Sequence, residues 1–253
     1  MSDLFTLSGK HAIVTGGTRG IGLAIANGFL SEGAKVTICS RKQESVDSGL
    51  AELSSHGDSI QGFAAHVGRP DDITRLIQDA QATFGPANVL VNNAGTNPYF
   101  GPIVDSTDLA WEKTMDVNLK GPYMLSRELA KSMMQNGGGS IINISSVAGL
   151  AASAGQGIYS VTKAGLIMLT QVMAKEMGTS GVRVNCICPG VVKTKLSEAL
   201  WKDPETEQHF AKLKALGRVG TTDELAGAAI YFASDASSFT TGAVLRIDGG
   251  MVI

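Results

Sequence analysis

The chain is poor in several features that would mark a special class of protein. It has three cysteines in 253 residues (Cys39, Cys186 and Cys188). These are too few and too clustered for a disulfide framework, and they fit no zinc spacing. A reducing compartment and no bound metal are therefore expected. Neither sign of charge is in excess: 21 basic against 23 acidic residues leave a net charge of −2. That supplies no electrostatic drive toward nucleic acid or acidic membranes. No apolar run approaches the length of a bilayer span. The opening "MSDLFTLSGK" has no basic or apolar leader segment. Internal repeats, low-complexity segments and linkers are also lacking. These absences predict a soluble, cytoplasmic protein with neither membrane nor nucleic-acid partners.

What is present is the composition of a globular protein with a sizeable core, 43% hydrophobic and 17% charged. Short apolar runs predict strands at 12–16, 35–39, 60–65, 88–92, 140–144, 183–187 and 243–247. Between them, periodic stretches predict helices over 20–32, 42–55, 71–84, 107–135, 157–177 and 222–234. Gly33 and Gly178 stand where C-terminal glycines should, and "TTDE" at 221–224 reads as a helix start. Alternation of this kind implies one doubly wound α/β (Rossmann) domain over 1–253, with about seven parallel strands and helices on both faces. The polar stretch 193–217 interrupts the pattern and reads as a flap of that domain.

Two short segments carry chemistry. "VTGGTRGIG", 14–22, follows the first strand and opens the first helix. Gly16, Gly20 and Gly22, with Thr18 and Ile21 between them, allow a tight turn and bring helix N–H groups to a pyrophosphate. The spacing is GxxxGxG rather than GxGxxG, and an ordinary turn is the alternative. About 20 residues on, where an NAD site places an acid for the ribose, the second strand ends "CSRK": Ser40, Arg41, Lys42. An arginine there can hold a 2′-phosphate, with Arg19 as a second cation, so NADP(H) is expected. Otherwise Arg41 and Lys42 simply begin a solvated helix face. The second segment is "GIYSVTKAG", 157–165, which sets Tyr159 and Lys163 one turn apart on a largely apolar helix.

"TGGTRGIG", "NNAG" (92–95), "VN" (117–118), Ser146 ahead of "YxxxK", and "PG" (189–190) occur in order along the whole chain. In these motifs the sequence resembles the short-chain dehydrogenase/reductase family. The resemblance implies that Tyr159 is the general acid or base, that Lys163 holds the nicotinamide ribose, and that Ser146 bonds the substrate oxygen. A neighbouring ammonium favours a phenolate, so Lys163 is expected to lower the Tyr159 pKa. Asn118 is the fourth catalytic member by resemblance. Pro122 has no N–H to donate to the Asn118 carbonyl, which could then hold a relay water linked to Lys163. A simple kink is the alternative.

The resemblance also places Asn93, Ala94 and Gly95 beside the adenosine. Pro189, Gly190, Val192 and Thr194 would border the nicotinamide, with the Thr194 hydroxyl toward its carboxamide. Many relatives have Asp–Val after the third strand. Here it is His66–Val67, where a neutral imidazole could still accept a hydrogen bond. "SRKQ", "HVG", "NPYFG" and "LWKD" resemble the NADPH-dependent carbonyl/retinal reductase branch. Asn97, Tyr99, Leu150, Gln156, Val191 and the flap around Leu196–Trp201 are expected to line an apolar substrate pocket, with Ser146 at its polar end. A homotetramer is expected by resemblance.

Three functions compete at this point. One is an NADPH-dependent carbonyl reductase. A second is a 3-oxoacyl carrier-protein reductase, disfavoured because "MMQNGGGS" (133–140) carries no cation for an acidic carrier. The third is a non-catalytic NADP sensor or scaffold, which would have no need to keep Tyr159 and Lys163.

Overall fold

A computed structural model describes residues 2–252. Seven strands form one sheet: β1 (His11–Thr15), β2 (Lys35–Ser40), β3 (Ile60–Ala64), β4 (Val89–Asn92), β5 (Gly139–Ile144), β6 (Val182–Pro189) and β7 (Val244–Ile247). Their order is β3-β2-β1-β4-β5-β6-β7. Every pairing is parallel. The order reverses between β1 and β4, the switch point at which such sheets bind ligands.

Parallel strands are covered on both faces, so alternate residues of one strand enter two different cores. In β1, Ala12 and Val14 face α1 (Gly20–Ser31) and α8 (Asp223–Ala233), which contribute Ile25, Phe29, Leu225 and Phe232. Ile13 faces the opposite way, with Leu76 of α3 (Pro70–Phe84), Leu125 and Leu129 of α5 (Gly121–Gln135), and Met173 of α6 (Gly157–Met177). Each such buried Leu, Ile or Phe contributes about 1.5–3 kcal/mol. Helix α2 (Gln43–Glu52) buries Val46 and Gly49, and Gly49 passes so close to Thr18 that a Cβ would lie 2.9 Å from its Cα.

The predicted strands are all present, as are five of the six predicted helices with small end shifts. The expected helix 107–135 is divided. Helix α4 (Asp108–Met115) passes into a π-turn over Asp116–Lys120, and α5 follows. The flap contains a helix that the polar composition hid, α7 (Pro204–Lys212), capped by the Asp203 side chain on the Thr206 amide at 2.9 Å. Gly178 is not the left-handed terminator of α6: it is right-handed, and the turn closes at Gly181 with φ +79°. Gly33 does adopt positive φ, at +87°. No helix among the described residues is long and apolar enough to cross a membrane.

His11 opens β1 and is buried. The Gly85 carbonyl can only accept, so His11 Nδ1 carries the proton and donates to it at 2.9 Å. In the neutral ring Nε2 then accepts the Thr37 hydroxyl at 2.9 Å, while Thr37 Oγ1 accepts from Gln61 Nε2 at 2.9 Å. Burial holds the His11 pKa below the ordinary 6.5 and so favours that neutral ring. The folded state therefore binds this proton less readily than the unfolded chain. The contribution is complete above about pH 6.5 and is lost as pH falls below it. The expected outcome is a lower Tm at pH 5.5 than at pH 7.5, with a smaller drop in His11→Gln than in the unsubstituted protein, read by thermal melting.

Candidate active site

The loop after β1 is shaped by its neighbour across the switch point. Gly16 and Gly20 are left-handed, at φ +62° and +57°. Arg19 sits in extended conformation ahead of α1 with no side-chain cap, so the first amides of α1 are not consumed by a capping side chain. Thr15 Oγ1 accepts the amides of Asn93 and Ala94 at 3.0 Å each. Asn93 Nδ2 returns bonds to the carbonyls of Thr15 (2.9 Å) and Gly16 (3.1 Å). A Cβ on Gly22 would lie 2.4 Å from both Asn93 Nδ2 and the Gly16 oxygen. Gly22 is thus required for the clamp itself. Asn93, expected to flank a ligand, turns its side chain into the loop instead. The uncapped helix start behind two left-handed glycines fits a dinucleotide pyrophosphate.

The second half of the site lies at the ends of β4 and β5. Lys163 is buried and donates from Nζ to the Ile144 carbonyl at 2.7 Å. The neighbouring Ser145 hydroxyl donates to the Lys163 carbonyl at 2.8 Å, fixing α6 against β5. The same closeness leaves no room at Gly149, where a Cβ would lie 2.6 Å from the Lys163 backbone. Lys163 Nζ lies 5.5 Å from the centre of the Tyr159 ring. Ser146 receives the Ala148 amide on Oγ at 3.1 Å, and its hydroxyl faces the phenol.

The ionisation of this pair differs from expectation. Burial pushes the Tyr159 phenol up to about 12, against a smaller downward pull from Ser146. Burial also pushes the Lys163 ammonium down to about 8. The ammonium donates to a backbone carbonyl, and desolvation, not the ammonium, sets the phenol.

Asn118 is fully buried in the π-turn. Its Oδ1 accepts from the Thr96 amide at 2.8 Å, while Nδ2 donates to the Thr96 carbonyl (2.9 Å) and Thr162 Oγ1 (3.2 Å). The side chain therefore joins the β4 loop to α6, and only its carbonyl is left for a relay. Pro122 denies that carbonyl its α-helical donor. Gly95 stands alongside: a Cβ there would lie 3.7 Å from Asn118 Oδ1 and 3.9 Å from Lys163 Nζ.

The expected cofactor rim follows the strand ends. Ser40 ends β2 and Arg41 is exposed beyond it. The Ala65 amide donates to the Ser40 carbonyl at 2.8 Å, which places His66 and Val67 beside them. Arg69 was not anticipated. It lies close enough to lower the His66 pKa, and "HVGRP" right after a strand end was its only signal. Pro189 ends β6, and a Cβ on Gly190 would lie 2.8 Å from Asp248 Cα. Val192 bridges to Gly220. Thr194 packs its methyl over Gly20, but its hydroxyl bonds Ser197 Oγ at 2.9 Å rather than facing the cleft.

The expected substrate residues form a layer of loops. Gly101 bridges to Gln156, and Phe100 packs on Gly155, so the loop carrying Asn97 and Tyr99 lies along the entrance to α6. The Tyr99 hydroxyl is taken by the Pro102 carbonyl at 2.7 Å. Leu150 and Leu196 are exposed. Trp201 Nε1 donates to the Thr194 carbonyl at 3.1 Å, and Lys193 lies over its ring. Val191 is buried and lines a small cavity of ≈ 80 Å³ with Lys214, Leu225 and Asp248.

Known proteins resemble this chain in sequence and fold. A family described as Enoyl-(Acyl carrier protein) reductase matches residues 16–252. The chain is 38% identical over 244 residues to human dehydrogenase/reductase SDR family member 4, covering 96% of this chain and 88% of that protein. It is 41% identical over 254 residues to the protein of that name from Caenorhabditis elegans, covering 99% and 98%. Among solved structures, a putative gluconate dehydrogenase from Agrobacterium tumefaciens superposes with a TM-score of 0.95 at 32% identity, covering 99% of this chain and 100% of that one. A gluconate 5-dehydrogenase from Burkholderia cenocepacia, in complex with NADP and tartrate, gives 0.94 at 34% identity, covering 99% and 98%.

The clamp makes a prediction of its own. Asn93→Ala leaves two loop carbonyls without their donor, a loss of about 1–3 kcal/mol in stability by denaturant titration. Dinucleotide affinity, measured by calorimetry, should fall in the same variant although Asn93 points away from the cleft.

Proposed function

The chain belongs to the short-chain dehydrogenase/reductase family, and on that premise we propose that it is an NADP(H)-dependent oxidoreductase interconverting a ketone or aldehyde with an alcohol. Members of this family bind nicotinamide cofactors, and a bound dinucleotide would supply or accept the hydride. The observation that carries the reading is the grouping of Ser146, Tyr159 and Lys163 beside the open glycine loop.

In this proposal the amides of the Gly16–Gly22 loop hold the pyrophosphate, with Thr18 and Ile21 inside that turn. Ser40, Arg41 and Arg19 hold the 2′-phosphate. Lys163, with a pKa near 8, is an ammonium at neutral pH and holds the ribose. Ser146 donates to the substrate oxygen and orients it. Tyr159, with a pKa near 12, keeps its proton at neutral pH and delivers it to the carbonyl oxygen as the alcohol forms. Oxidation requires the reverse transfer, and the Asn118 carbonyl offers the anchor for a water linking Lys163 to solvent. Tyr159→Phe should lower turnover by about 10²-fold or more while dinucleotide binding persists, because the hydroxyl carries the proton and the ring packs. Steady-state rates and a binding titration check both halves.

The substrate class follows from the loops around the site. Leu150, Leu196 and Phe100 are exposed apolar side chains, and the Tyr99 hydroxyl is occupied. This favours apolar ketones, in keeping with the carbonyl reductase type. The acyl carrier protein in the family description favours the second reading, a carrier-protein reductase. Against it, the cations of α5 nearest 133–140, Arg127 and Lys131, are both paired with Glu128 at 2.8 Å. A panel of ketones, diketones, retinal and acyl thioesters with NADPH separates the two, and no turnover of any would leave the non-catalytic reading. The exposed Leu109, Trp111, Val161, Met168 and Val172 on α4 and α6 fit a homotetramer, which sedimentation measures.

The cofactor preference is a separate test. Arg41 stands where a carboxylate would accept from the ribose of NAD. A guanidinium meets a phosphate with charge-assisted bonds of about 1.5–3 kcal/mol each. NADPH should therefore be preferred over NADH on the order of 10²-fold in kcat/KM at moderate salt. Ser40→Asp combined with Arg41→Ala should reverse that order. A preference for NADH in the unsubstituted protein, or an unchanged ratio in the variant, would sink the assignment.

A further inference from the structure

We propose that His66 presents an N–H, not an acceptor, to the nucleotide, and that with Arg41 it completes the grip on the 2′-phosphate. The inference rests on the cofactor reading above. The geometry of the turn after β3 carries it. His66 Nδ1 accepts the Gly68 amide at 3.1 Å. A nitrogen that accepts carries no proton, so the neutral ring holds its proton on Nε2. The ring is packed there: a Cβ on Gly68 would lie 3.1 Å from Cε1 and 3.2 Å from Nδ1. The backbone is held too, with the His66 amide on Asp72 Oδ2 and the Arg69 amide on the His66 carbonyl, both at 2.9 Å. Among the described residues Nε2 has no protein partner. An imidazole so fixed cannot accept from an amino group, and it can donate to an anion.

The charges around the ring favour that anion. Arg41, just after β2, and Arg69, just ahead of α3, both act electrostatically on the ring, and neither makes an ion pair among the described residues. Of the nearby carboxylates, Asp72 is engaged by the His66 amide and by Arg75 at 2.7 Å. Asp116 lies on the same side of Gly68 as the ring, its Cβ 3.4 Å from where a Gly68 Cβ would stand, and its carboxylate pairs with Lys120 at 3.2 Å. Burial and the two arginines hold the free imidazole below its ordinary 6.5. A second proton would have to enter on Nδ1, where the Gly68 amide already points its own hydrogen, so the ring stays neutral and donates from Nε2 alone. Binding through that hydrogen takes up no proton.

The test uses adenosine 2′,5′-bisphosphate, with 5′-AMP as control, in calorimetric titrations of the full chain, of His66→Phe and of His66→Gln at about pH 8. Removing the N–H in His66→Phe should weaken bisphosphate binding about tenfold and leave 5′-AMP within about twofold. His66→Gln, whose amide still donates, should fall between that variant and the unsubstituted protein. Equal losses for the two nucleotides overturn the proposal and put the ring on the adenine, and an unchanged bisphosphate affinity in His66→Phe overturns it as well. Bisphosphate binding no tighter than 5′-AMP in the unsubstituted protein would instead fail the NADP(H) reading itself.

Discussion

Because all seven strands run parallel, each one delivers the residues that follow it to the same edge of the sheet. Gly16 follows β1, Arg41 follows β2, His66 comes two residues after β3, Asn93 follows β4, Ser146 comes two residues after β5, and Gly190 follows β6. No other arrangement of these segments gathers six loops at one rim, and the candidate site consists of those loops together with two helices. The reversal of strand order between β1 and β4 opens the crevice there, and the Thr15–Asn93 clamp holds its two sides at fixed separation.

On that rim, burial decides the chemistry. A lysine ammonium with one backbone carbonyl as partner is desolvated, and its proton is easier to lose. The adjacent phenol is desolvated as well, and its proton is harder to lose. The pair therefore stands with a firm proton donor facing the cleft and a readily discharged cation behind it. The π-turn at Asp116–Lys120 belongs to the same economy of space. It lets Asn118 point both amide groups at Thr96 and Thr162, so a buried polar side chain is fully bonded where the β4 loop meets α6.

Much of this was legible in the chain. Buried parallel strands must be almost continuously apolar, and "AIVTG" and "NVLVN" have few other interpretations beside glycine-rich turns. Spacing alone put Tyr159 and Lys163 one helical turn apart, and the family resemblance added Ser146. Other features depended on contacts distant in sequence. Asn93 reads as a ligand contact until Gly22 and the Thr15 carbonyl are seen beside it. The π-turn needs a choice between two helical registers that differ by one residue, and Pro122 announces only that something gives way. Helix α7 is stabilised by the Asp203 cap and a few flap contacts, so composition alone reads as loop.

The sequence by itself determined the alternation of strands and helices and the parallel sheet, because periodicity is a local property of the chain, while the candidate catalytic trio came from the resemblance of its motifs to a known family. Only the tertiary structure decided the protonation of Tyr159 and Lys163, the direction of the Asn93 and Asn118 side chains, and the donor face of His66. Each of those depends on how much water is removed and on which partner lies across the fold, and neither quantity is written in neighbouring residues.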